Sequence, residues 1–175
     1  MFRHCLGLAL VAGALLAGCS DAGDAGEEET AAAAPQIDAC TLFTPKDAEA
    51  AAGTHLSGYL SSTLEDTSGG RDPLHCTYSA GPSYAPQIIS LQVRPAKSEK
   101  RAQRLLEAHK ESLETLARGQ IQDVQGVGDA AFWAGGSIKQ LHVQKGRNVL
   151  VVTLQAGPKP LEASKRVATQ ALARM

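Results

Sequence analysis

The chain has 175 residues, with 17 Lys and Arg against 18 Asp and Glu, for a net charge of −1 with neutral histidines. This balance excludes the strongly basic footprint of a nucleic-acid binder. The low aromatic share, 4%, leaves the core to Val, Leu, Ile and Ala.

Residues 1–18 read as an export signal. A short basic start, Met1-Phe2-Arg3-His4, leads into an apolar run of Leu, Ala, Val and Gly. That run is too short to span a bilayer, which needs roughly 20 apolar residues. It closes on Leu16-Ala17-Gly18-Cys19, followed by polar Ser20. These four residues resemble the lipobox of bacterial lipoproteins. The resemblance implies cleavage before Cys19, acylation of its sulfur and amine, palmitate among the chains, and a lipid bilayer as the first partner. Two or more acyl chains hold a protein where one does not. Ser20, in a Gram-negative source, implies the periplasmic face of the outer membrane. The other reading is an ordinary signal cut near Ala17, leaving Cys19 as a thiol.

Residues 19–36 read as a flexible tether. Asp21, Asp24, Glu27, Glu28 and Glu29 are its only charges, and the Ala31–Ala34 run ends at Pro35. The tether thus carries −5 and residues 37–175 carry +3. As a coil it spans about 23 Å on average, so the domain it carries works near the membrane. With Cys5 lost in the signal and Cys19 acylated, Cys40 and Cys76 are left in an oxidising setting and are expected to form a disulfide. They make a poor metal pair, and no metal site is expected.

Residues 37–175 read as a single domain. Thr44, Pro45 and Asp47 predict a capped helix start, and Gly53 its end. Strands are expected over 59–65, at Leu74 to Ala80 and at Ile89 to Val93. Tyr84 sits in the loop before the third strand. A long helix over 98–118 carries Ala102, Leu106, His109, Leu113 and Leu116 in one stripe. Within it His109 reads as a partly buried residue with a local hydrogen bond, because nothing places a second His or an acid beside it. Lys110–Glu114 and Glu114–Arg118 read as surface pairs. Lys97, Lys100, Arg101 and Arg104 crowd the helix start and read as an anion-facing patch or a solvated face.

Gly126-x-Gly128-x-x-Ala131 matches a dinucleotide fingerprint only superficially, since no helix opens on it. It predicts a tight turn into a strand, and no cofactor is expected. Trp133, the only Trp, reads as a core anchor or, as the alternative, an exposed binding aromatic. Gln140 to Gln144 and Asn148 to Gln155 predict a hairpin, its second strand central because Val149 to Val152 is continuously apolar. A closing helix over 161–174 presents Ser164, Val167, Ala168, Ala171 and Met175 along one side. The expected order is α-βββ-α-βββ-α, an α+β class with about six largely antiparallel strands.

Asp38-x-Cys40-x-Leu42-x-Thr44, Cys76-Thr77-Tyr78, Gly126 to Trp133 and Val143-x-Lys145-Gly146 resemble a group of uncharacterised bacterial lipoproteins with a secreted domain of unknown function. The resemblance implies an α/β/α sandwich of the Mog1/PsbP-like kind and supplies no catalytic residues. No nucleophile motif or paired-carboxylate motif is present. The expected function is a non-enzymatic binding or accessory module acting on an envelope protein or glycan, with Lys100, Arg101, Arg104 and Tyr84 as the expected contact residues. The alternatives are a small hydrolase built from His75, His142 and Asp129, and a purely structural envelope protein.

Overall fold

The computed structural model describes residues 37–53, 55–58, 72–80, 87–117, 119–155 and 157–175. The signal, Cys19, the tether, the strand expected over 59–65 and Tyr84 lie outside them.

Local chemistry starts the first helices. The Asp38 carboxylate accepts from the Cys40 amide at 2.9 Å and opens a single turn, α1 (Ala39–Leu42), which adds to the expected elements. Thr44 and Asp47 exchange side-chain and backbone hydrogen bonds in the expected capping box of α2 (Pro45–Ala52), and Gly53, at φ 71°, ends it. A cap of this kind contributes about 1 kcal/mol.

The remaining elements are β1 (Leu56–Gly58), β2 (His75–Ala80), β3 (Gln87–Pro95), α3 (Glu99–Glu114), β4 (Ile121–Asp123), β5 (Ala130–Ala134), β6 (Gln140–Lys145), β7 (Asn148–Leu154) and α4 (Pro160–Ala173). All strand pairs are antiparallel, in the order β1-β2-β3-β7-β6-β5-β4. The class is therefore α+β. The element order corrects the expected one: two short helices open the domain, and four strands, not three, lie between α3 and α4. The added strand β4 has only three residues, on a sheet edge, two of them exposed, so it carries no readable alternation. β7 is the central strand, as its apolar run implies.

Side chains alternate between two cores. Leu91, Val93, Leu141, Val143, Leu150, Val152 and Trp133 pack on the side of α1, α2 and α4. Phe132, Ala134 and Val149 pack on the side of α3, with Ala102 and Leu106. Helices thus cover both sheet faces. The α3 stripe stops earlier than expected: the helix ends at Glu114, and Leu116 is 62% exposed while Ala117 turns inward. Met175 is also exposed, beyond the end of α4. Lys110 pairs with Asp123 at 2.6 Å across to β4, in place of the expected Glu114.

Two ties fasten the N-terminal helices. Cys40 and Cys76 form the expected disulfide, with Cα atoms 5.0 Å apart, which closes a 36-residue separation worth about 3.8 kcal/mol in the chain-entropy picture. Arg174 clamps Asp47 through Nη1 and Nη2, at 2.5 and 3.1 Å, and Nη1 also donates to the Leu42 carbonyl at 2.7 Å. Gly128, at φ 64°, passes so close to β6 that a Cβ there would meet the Gln144 carbonyl oxygen at 2.5 Å. The fingerprint-like glycines therefore serve a close turn.

The Arg174 guanidinium holds the Asp47 carboxyl down at about 2, against an ordinary 3.8. A lowered carboxyl pKa stabilises the fold above the unfolded value, and that stabilisation is lost as pH falls from about 4 through about 2. We expect Arg174→Ala to lower stability by up to about 2 kcal/mol near neutral pH, discounted because Arg174 is partly in water, with the deficit shrinking toward pH 2. Denaturant midpoints of both proteins across that range check this.

Candidate functional site

The α3 face of the sheet is the more polar of the two. In register, β2 contributes His75 and Thr77, β3 contributes Ser90, Gln92 and Arg94, β7 contributes Val151 and Thr153, and β6 contributes Gln140 and His142. The reason is strand alternation: their neighbours Cys76, Leu91, Leu141 and Val152 supply the main core, so these positions face the other way. Where α3 crosses this face, His109, Ser112 and Leu113 meet Gln92, Arg94, Gln140, His142 and Val151 around an open groove of about 290 Å³.

A chain of hydrogen bonds runs along it. Arg94 donates Nε to Gln92 Oε1 at 3.2 Å and meets His109 Nε2 through Nη1 at 2.8 Å. His109 Nδ1 lies 3.3 Å from His142 Nδ1. His142 Nε2 lies 3.3 Å from Gln140 Oε1, and Gln140 Nε2 donates to Thr153 Oγ1 at 3.1 Å. The direction follows from Arg94, which only donates. His109 Nε2 must accept, so its proton sits on Nδ1 and is donated to His142 Nδ1. The His142 proton then sits on Nε2 and goes to Gln140. Both imidazoles are neutral. Burial, with the His109 ring and the Arg94 charge adding to it, pushes His142 down to about 3. Burial and then Arg94 push His109 down as well. Phe132 stacks on His142 at 4.5 Å, nearly parallel.

The His109–His142 contact corrects the expectation that nothing stands beside His109. The residues are 33 apart in sequence, and strand register together with the crossing of α3 brings them together. Their shared orientation was the available signal: His142 alternates with core residues Leu141 and Val143, so it faces the helix that carries His109.

The histidine–aspartate cleft of the alternative hydrolase reading does not form. His75 and His142 lie in one row, separated by β3 and β7, roughly 14 Å at the usual strand spacing. His75 bonds Thr77 at 3.1 Å, and burial lowers its pKa. Asp129 is held at the β6–β7 turn, accepting from Lys145 Nζ and the Gly146 amide, each at 2.7 Å. Neither His75 nor Asp129 lines the groove. His55 is exposed beside Glu49.

Of the expected contact residues, Arg101 and Arg104 line an open depression of about 400 Å³ with Pro95, Ala96, Lys97 and Leu105. Lys100 is exposed nearby on α3 and does not line it. Among the described residues no three His, Cys, Asp or Glu side chains gather as metal ligands. No described helix is long and apolar enough to cross a membrane. Comparison with protein-family models and with curated proteins finds no match to this chain.

A neutral buried His has its folded pKa below its unfolded value, so the unfolded state binds the extra proton and stability falls as pH drops below about 6.5 toward about 3. We expect about 2 kcal/mol to be lost from this group between pH 6.5 and pH 5. His142→Gln is expected to flatten that part of the profile, as read by denaturant midpoints. An unchanged slope would show that His142 is charged or solvated in the fold.

Proposed function

We propose that this chain is an envelope lipoprotein, anchored through acylated Cys19, whose domain over 37–175 is a non-enzymatic binding or accessory module. The observation that carries this is Leu16-Ala17-Gly18-Cys19, placed directly after an apolar run too short to span a bilayer and directly before an acidic tether. The Cys40–Cys76 bond supports the reading, because such bonds persist in oxidising compartments. In a Gram-negative source the domain faces the periplasm from the outer membrane. Helices on both faces of an antiparallel sheet suit the Mog1/PsbP-like sandwich that the sequence resemblance implies. The module reading draws on an open groove walled by fixed polar side chains, and on a cationic helix start suited to an envelope protein or glycan.

Mass spectrometry of the mature N-terminus tests the anchor. We expect a chain that begins at Cys19 and carries the mass of two or three acyl groups, and Cys19→Ala is expected to move the protein from the membrane to the soluble fraction. An unmodified thiol, or a cut elsewhere, contradicts the reading. Crosslinking in intact cells tests the contact surface. Lys100→Glu, Arg101→Glu and Arg104→Glu together are expected to reduce capture of the crosslinked partner, and unchanged capture excludes that patch.

A further inference from the structure

We propose that the groove beside α3 binds a compact monocarboxylate, with Arg94 receiving the carboxylate and Leu113 and Val151 seating its apolar part. The proposal rests on the binding-module reading and is independent of the lipid anchor.

The first argument is charge. Among the described residues, Arg94 is the only fully charged one that lines the groove, and it is exposed there. Its partners among the described residues are Gln92 and His109, both neutral. The ion pairs of the described residues involve other cations. Among the described residues, no acidic side chain lines the groove to repel an anion.

The second argument is geometry. A guanidinium has five N–H donors in a planar fork. Arg94 commits Nε to Gln92 and one Nη1 proton to His109, which leaves the other Nη1 proton and both Nη2 protons. These three donors are left for the two oxygens of a carboxylate, with Nη2 wholly uncommitted among the described residues. Two anchors already hold the guanidinium plane, so less side-chain freedom is lost when a ligand arrives.

The third argument is the surroundings. His109 and His142 face the same space as neutral rings whose protons are used within the hydrogen-bond chain. They add no second cation, which favours a monoanion over phosphate. The Ser112 hydroxyl donates to the His109 carbonyl at 2.9 Å, leaving its oxygen able to accept from a ligand N–H or O–H. Leu113 and Val151 supply the apolar surface. About 290 Å³ is near the lower end of small-molecule sites, so the ligand is small.

The test uses the full chain in detergent, with 4-methylpentanoate as the probe and 4-methylpentanamide and inorganic phosphate as comparisons. Binding is followed by NMR at the Arg94 Nε–H and the Leu113 methyl groups. We expect saturable shifts at both with the acid, and affinities about tenfold or more lower for the amide and for phosphate. Arg94→Gln is expected to weaken acid binding about tenfold, with Arg94→Lys in between. Equal binding of acid and amide, equal binding of phosphate, or shifts confined to the Lys97–Arg101–Arg104 depression would each overturn the proposal. If Arg94→Gln fails to fold, as read by circular dichroism, the acid–amide comparison on the unaltered protein still decides. A failed groove with partner capture still dependent on Lys100, Arg101 and Arg104 would leave the module reading standing.

Discussion

A guanidinium that can only donate sets the order of every proton beside α3. Because Arg94 gives a hydrogen bond to His109, His109 must give one to His142, and His142 must give one to Gln140. The chain ends at Thr153. Its links join β3, α3, β6 and β7, so one hydrogen-bond direction couples the long helix to the centre of the sheet. A buried imidazole without partners would cost on the order of 1–3 kcal/mol per unsatisfied group. Here each ring nitrogen has a partner, and the stacked Phe132 ring fills the remaining apolar side. The same chain orients Arg94, which has no carboxylate partner among the described residues.

The scaffold makes this possible by dividing labour between the two sheet faces. The side toward α1, α2 and α4 is apolar and closed, with the disulfide and the Asp47–Arg174 clamp tying the opening helices to β2 and to the C-terminus. The side toward α3 has a smaller core, Ala102, Leu106, Phe132, Ala134 and Val149, and polar residues run beside it. Strand alternation links the two: Gln92, His142 and Val151 are flanked on both sides by core residues, and Arg94 and Gln140 on one side, by Val93 and Leu141, which holds these strands in place. Polar side chains placed on such strands are held more firmly than they would be on a loop.

What could be read from the sequence was local. Thr44, Pro45, Asp47 and Gly53 carry their own capping and stopping chemistry, and they act as expected. Val149 to Val152 announces a strand covered on both faces, and Trp133 goes to the core. β4 was not legible because three residues on an edge carry no periodicity, and α1 was not because a single capped turn resembles a loop. The end of α3 is not legible because Leu116 continues the stripe by spacing although the helix has already stopped at Glu114. The His109–His142 pair needed long-range information, namely which face of β6 lies under α3. Cys40 and Cys76 were found by counting cysteines, whereas no count could show that His75 and Asp129 stay away from His142.

The proton order along the groove is tested most directly by nitrogen-15 NMR of the two imidazoles in the full chain near pH 7. The expected result is one neutral ring protonated on Nδ1, His109, hydrogen-bonded to a second neutral ring protonated on Nε2, His142, with both tautomers scrambled by Arg94→Gln. An imidazolium at either position, or His109 protonated on Nε2, would contradict the hydrogen-bond chain and the arrangement of Arg94 that depends on it.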